Sequence, residues 1–294
     1  MTAIDPAASA APAAAPSDAN GARERLGQIL RSGTFLIGSA ILLFWIGCAL
    51  FGPSLVPYDP YADDLLSALL PPSAEHWFGT DQLGRDVFSR VIVGARDILT
   101  VAPLATVIST ILGTALGLVM GYFRGIIDEM LSRVVDALLA LPTVIVALLA
   151  LVALGPSSVT VISVIGFTFA PIIARTVRAA VLAERELDYV AAAQLRRESA
   201  LHVMFVEILP NVLPPILVEA TVRLGYAVFA VATLSFIGFG IQAPSPDWGL
   251  SISTNYGLIG GGYWWTVLFD GLAIASLVVS VNLVADGIQG ALDS

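Results

Sequence analysis

"ALLALPTVIVALLALVALGPSSVTVISVIGFTFAPII", from Ala137 to Ile173, carries no charged side chain. A helix needs roughly 20 mostly apolar residues to cross the hydrocarbon of a bilayer, so this run is long enough for two crossings. Gly155 and Pro156, within "LGPSS", place a tight turn between them. The stretch therefore reads as two membrane helices, around Val134–Leu154 and Ser157–Ile173.

Further apolar windows lie outward from it, around Thr34–Phe51, Leu99–Phe123, Leu213–Gly238 and Trp264–Ala285. Glu219, Arg223 and Asp270 interrupt the last two. The pattern predicts an all-α membrane protein with six transmembrane helices. Composition agrees: 57% of the 294 residues are hydrophobic and 13% charged, about half the charged fraction of a soluble domain. A lone cysteine, Cys48, excludes a disulfide framework. His76 and His202 lie far apart in sequence and make a poor case for a metal centre. A net charge of -9 gives no reason to expect nucleic-acid binding. With no nucleophile–base pair and no ligand cluster, no catalytic residue, no metal ligand and no cofactor bound by this chain is assigned.

Residues 1–30, with "AASAAPAAAPSDANGA", lack a packing period and are expected to form a disordered cytoplasmic tail. The apolar core starts only near Thr34, so the first span is expected to be uncleaved. Residues 31–98 would hold that span, an external loop and an interfacial helix. Residues 99–294 would form a core of five spans, with a polar segment at 188–211. Arginines set the orientation. With the N-terminus inside, ten of them (Arg23, Arg25, Arg31, Arg124, Arg133, Arg175, Arg178, Arg185, Arg196 and Arg197) fall on the cytoplasmic side, against Arg85, Arg90 and Arg96 outside. Both termini are then cytoplasmic. The aromatics of the last external loop (Trp248, Tyr256, Tyr263, Trp264 and Trp265) suit a belt at headgroup level.

Four features stand out from the spans. "HWFGTDQLGRDVFSRVIVGARDIL" reads as a surface helix on the outer leaflet feeding the second span, capped by Thr80 or Asp81 after Gly79. Asp81 to Arg85 and Asp86 to Arg90 are i,i+4 pairs with the acid first, the better order. Gly113, Gly117 and Gly121 recur every four residues and open a groove where another helix can come close. Glu219 and Arg223, four apart in the fifth span, either line a water-filled path or form a structural ion pair. Asp270 and Asp286 near the ends of the sixth span read as solvated helix ends.

The fourth feature is "DYVAAAQLRRESALHVMFVEILPN", Asp188–Asn211. Tyr189–Ala193 and Leu195–Val203 favour helix, and Pro210 is expected to break it before the fifth span. Ala191, Ala192 and Ala193 offer a smooth docking surface, with Arg196, Arg197, Glu198 and Ser199 as polar neighbours. The segment either fits a groove in a soluble partner or is a solvated loop.

"YVAAAQLRRESALHVMFVEILPN" resembles the EAA loop of ABC-transporter permease subunits. "FGTDQLGRDVFSRVIVGAR", with Gly79, Thr80, Asp81, Gly84, Arg85 and Asp86, is similar to the periplasmic signature of the second, C-type permease of dipeptide, oligopeptide and nickel importers. "LSFIGFGIQAPSPDWG", Leu234–Gly249, resembles the same subgroup after its fifth span. The motifs occur in the family's order, and the resemblance covers about residues 30–294.

The resemblance implies a type I ABC importer fold in a bacterial inner membrane. Its partners would be a homologous second permease, two ABC ATPase subunits holding ATP and Mg²⁺, an extracytoplasmic solute-binding protein, and membrane lipid. The segment 188–211 would be the coupling helix, with Tyr189, Ala191, Ala192, Ala193, Arg196, Arg197, Glu198 and Ser199 at the ATPase. The substrate would be a di- or oligopeptide, with nickel or another small solute as the alternative. A self-sufficient secondary transporter or channel is the competing class. This chain has no phosphate-binding Gly-x-x-x-x-Gly-Lys-Ser/Thr loop. It departs from the family twice: Ala191 stands where the pattern has Glu, and Arg197 where it has Gly. Either that turn becomes continuous helix, or Arg197 tolerates a left-handed backbone.

Overall fold

A computed structural model describes residues 32–292. The expected tail, residues 1–30, lies outside them. The described residues form helices and turns, with a single isolated bridge, Thr80 to Asp86, as the only strand-like pairing. The helices are α1 Gly33–Leu55, α2 Val87–Phe123, α3 Gly125–Leu139, α4 Thr143–Leu154, α5 Ser158–Glu184, α6 Asp188–Leu195, α7 Leu209–Phe236, α8 Trp248–Asn255 and α9 Trp265–Leu292. Helices α1, α2, α5, the run Ala200–Phe236 and α9 are long and apolar enough to cross a bilayer.

The third expected span, around Val134–Leu154, differs from its prediction. Helices α3 and α4 meet at a bend of 86°, so this span is broken or re-entrant rather than straight. Pro142 is the cause. It disfavours helical geometry at the preceding Leu141 and cannot donate its own N–H, and its ψ of 117° turns the chain before α4.

The second span also differs. The predicted surface helix is not a separate element; it is the first part of α2, which runs 37 residues without a break. At 1.5 Å per residue α2 is about 55 Å long, against a hydrocarbon core of about 30 Å. The excess is enclosed by loops. Val87, Ser89, Arg90, Val91, Ile92, Val93, Gly94 and Ala95 are all buried, so this part has no solvent face to lay on water. The helix is capped by Asp86, which accepts from the Ser89 N–H at 2.8 Å and the Ser89 hydroxyl at 2.7 Å, and not by Thr80 or Asp81. Asp86 also meets His76 at 2.9 Å instead of Arg90, and Arg85 pairs with Asp63 instead of Asp81.

Helices α2 and α5 form the most extensive packing in the molecule and run parallel. A Cβ on Gly113, Gly117 or Gly121 would fall 2.6 Å from a side-chain carbon of Ile173, Val177 or Val181 respectively. The three glycines let the two backbones approach at a distance that alanine would forbid. Arg178 of α5 holds Asp128 of α3 through Nε at 2.6 Å and Nη2 at 2.7 Å, fixing the start of the bent span.

Candidate functional site

Three sites carry polar chemistry: a helical unit between α5 and α7 at one end of the bundle, an ion pair on α7, and a cap of loops at the opposite end.

Helix α6 is short, and only one face of it is covered. Val190 and Ala193 are buried against Val181 of α5 and against Val203, Met204 and Ile208, which lead into α7. Ala191 and Ala192 face outward. The expected smooth surface therefore comprises two alanines, because Ala193 is spent on the core. Tyr189 anchors the helix from beneath: its hydroxyl donates to Glu184 at 2.8 Å and accepts from Asn211 at 3.1 Å. Burial and the Glu184 carboxylate push that hydroxyl's pKa up to about 12.

The end of α6 answers the question left at Arg197. Its φ is +57°, so the chain turns there and does not continue as helix. The Arg197 N–H donates to the Gln194 carbonyl at 3.0 Å and the Glu198 N–H to the Ala193 carbonyl at 3.3 Å. These are the two bonds of a Schellman closure, in which the left-handed position is usually glycine. Ser199 then caps the next turn through the His202 N–H at 3.2 Å. Arg196 bridges across the turn to Glu198 at 2.7 Å and Glu207 at 3.2 Å. Glu198, His202 and Glu207 come close enough to suggest a metal site, but the Arg196 guanidinium already supplies the positive charge the two carboxylates require.

The unit's outer surface also bears features missed in the sequence. Leu187, Leu195 and Leu201 are exposed around Ala191 and Ala192, with Leu195 at 84%. The helical spacing of α6 alone does not reveal them, because Leu195 is its last residue and Leu187 and Leu201 lie outside it. Pro210 does not break the chain before α7. It lies within the continuous helical run Ala200–Phe236. The preceding Val203–Ile208 widens into a π-helical turn that makes room for the proline ring.

On α7 the Glu219 carboxylate and Arg223 Nε lie 2.6 Å apart, half-buried. The Arg223 guanidinium sits 5.0 Å from the Tyr226 ring centre, a favourable cation–π distance. Tyr226 and Phe229 separate two clefts. One, of about 220 Å³, is walled by Thr143, Ala147, Thr168, Phe169 and Thr233. The other, of about 430 Å³, is walled by Val222, Gly225, Val278, Asn282 and Asp286.

At the other end, Arg90 ties three loops together. It donates to the Pro60 carbonyl at 2.9 Å and the Ser245 carbonyl at 3.1 Å, with Asp81 at 3.9 Å. Trp248 donates to the Val91 carbonyl at 2.9 Å, and Phe78 stacks on Phe269 at 3.8 Å. Trp248 and Trp265 are thus buried cap residues; of the expected headgroup belt only Tyr256 and Trp264 are exposed. Asp270 is 2% exposed and is no solvated helix end. Asp247 caps α8 through the Leu250 N–H at 2.8 Å, and burial pushes its pKa up to about 6.

Residues 113–294 match the model of a family described as binding-protein-dependent transport system inner membrane component, and residues 23–72 match the N-terminal TM domain of oligopeptide transport permease C. The chain is 38% identical to a dipeptide transport system permease protein, DppC, of Alkalihalophilus pseudofirmus, over 92% of this chain and 89% of that one. It is 37% identical to a probable D,D-dipeptide transport system permease protein, DdpC, of Escherichia coli, over 93% and 91%. Identity to the Escherichia coli DppC permease is 40%, over 88% of both. Among solved structures, inward-facing MetNI methionine ABC transporter matches with a TM-score of 0.57 at 19% identity, covering 69% of this chain and 96% of that one. That likeness fixes the fold.

Proposed function

The chain belongs to the family of binding-protein-dependent transport system inner membrane components, and from that premise we propose that it is the dipeptide-conducting permease subunit of an ATP-driven importer. It is a multi-pass membrane protein and a non-catalytic part of the assembly. A homologous permease completes the pathway, and two ABC ATPase subunits hold ATP and Mg²⁺. An extracytoplasmic binding protein delivers the peptide, and both termini of this chain are cytoplasmic.

The observation that carries this reading is the helical unit after α5. It is rigidly held from within by Tyr189, Val190 and Ala193, yet presents Ala191, Ala192 and Leu195 to solvent. A loop that merely joined two spans would need neither the closure at Arg197 nor the exposed leucine. Closure of the ATPases on ATP would displace this unit, and α5 and α7, which flank it directly, would carry the displacement into the bundle. The pathway then alternates between two states biased from a distant site. Tyr226, which borders both clefts, would face this pathway, with the Glu219–Arg223 ion pair beside it.

Reconstitution tests this. Vesicles holding this chain, its partner permease and the ATPases should accumulate a labelled dipeptide only when ATP and the binding protein are present. Gradient-driven flux through this chain alone would overturn the reading and favour a secondary transporter.

A further inference from the structure

The stretch from Gly79 to Asp86 takes no part in the coupling unit or the ion-paired wall; its bonds converge on the loop Asp64–Leu70. The Leu83 carbonyl accepts from the Asp64 N–H at 3.0 Å, and the Asp81 carbonyl from the Leu69 N–H at 3.0 Å. Thr80 accepts from the Leu70 N–H at 2.8 Å and donates its hydroxyl to the Ser67 carbonyl at 2.5 Å. Gly84 makes the approach possible: its φ is +76°, and a Cβ there would lie 1.7 Å from the Asp64 carbonyl oxygen. Trp265 donates to the Thr80 carbonyl at 3.1 Å and so fastens the platform to α9.

This platform supports one turn of 3₁₀-helix, Leu65–Ser67, capped by Asp64 through the Leu66 N–H at 3.2 Å and the Ser67 hydroxyl at 2.7 Å. On it Leu65 and Leu66 are 72% and 98% exposed. A flexible loop could fold two leucines away from water; this one is pinned so that it cannot. A rigid, outward apolar pair is pre-organised for contact and loses little entropy on being covered.

We propose that Leu65 and Leu66 form a docking prong for the solute-binding protein. The proposal rests on the importer reading above, and two observations select this occupant. First, the prong lies at the end of the bundle opposite the coupling unit, so the ATPases cannot reach it. Second, Asp59 and Asp64 are exposed just before it in sequence, beside an Asp63 paired with Arg85; this excess of acid repels an anionic lipid surface and suits a protein notch ringed by basic side chains.

The test uses the complete assembly in nanodiscs, titrated with dipeptide-loaded binding protein. Leu66→Ser should raise the binding-protein concentration for half-maximal ATPase activity by about tenfold, the loss expected on truncating an interface anchor. Basal ATPase activity and thermal unfolding should not change, and Leu66→Met should behave as wild type. Unchanged half-saturation in Leu66→Ser overturns the prong. So does loss of the second permease from the purified variant, which would assign the leucines to that subunit, or a defect that appears only in one lipid composition, which would assign them to the bilayer. A wild-type assembly that binding protein never stimulates would overturn the importer reading and the prong with it; a stimulated wild type with an unaffected variant overturns the prong alone.

Discussion

At the scale of single residues, the structure places side chains where glycine or a solvated acid would be easier to accommodate. Arg197 holds the left-handed position of a helix closure, at a cost of about 1–2 kcal/mol relative to glycine. Arg197→Gly should therefore raise the midpoint of thermal unfolding, and Arg197→Val should lower it. Reduced uptake in the more stable glycine variant would locate a partner contact at the guanidinium. Asp247 makes a second case. Its folded pKa of about 6 lies above its ordinary value of 3.8, so the folded state resists its ionisation. That penalty is absent below 3.8, grows as pH rises, and is complete above about 6. Asp247→Asn keeps an oxygen to cap α8 and removes the charge. It should stabilise the protein at pH 7.5, with the gain shrinking as pH falls through 6 and vanishing below 3.8. A gain independent of pH in melting curves would contradict this.

At the scale of elements, packing between α2 and α5 is decided by three absent side chains. Gly117→Val should destabilise the bundle by about 1–3 kcal/mol through overpacking, since even a Cβ there would sit 2.6 Å from Val177. Gly257→Ala, where nothing lies within 4 Å, should leave the detergent melting curve unchanged. The spans were legible because apolar length is a local property, as the run around Ala137–Ile173 shows. The angle at Pro142 was not, since a proline can kink, cap or end a helix depending on what surrounds it. The cap was illegible for a different reason. Amphipathic spacing from Leu83 to Leu99 fits an interfacial helix, and only Trp248, reaching back 157 residues to the Val91 carbonyl, reveals that both faces are covered. Likewise, the alanines of α6 were readable as a docking surface. Which of them pointed inward depended on Val203 and Ile208 beyond the turn.

At the scale of the whole molecule, the chain separates two tasks along its length. One end is a cap of loops knitted by Arg90, Trp248 and Trp265; the other is a protruding helical unit closed at Arg197 and supported by Tyr189. The parallel pair α2–α5 connects them, with Gly113, Gly117 and Gly121 of α2 packed against Ile173, Val177 and Val181 of α5. Ala192 tests this arrangement most directly, because it faces outward on α6 and contributes nothing to the core. The assembly should be purified with Ala192→Arg in this chain and compared with wild type for retained ATPase subunits and ATP-driven dipeptide uptake. An unchanged unfolding transition, loss of the ATPases and no uptake are expected. A variant that keeps its ATPases and imports at the wild-type rate would contradict it.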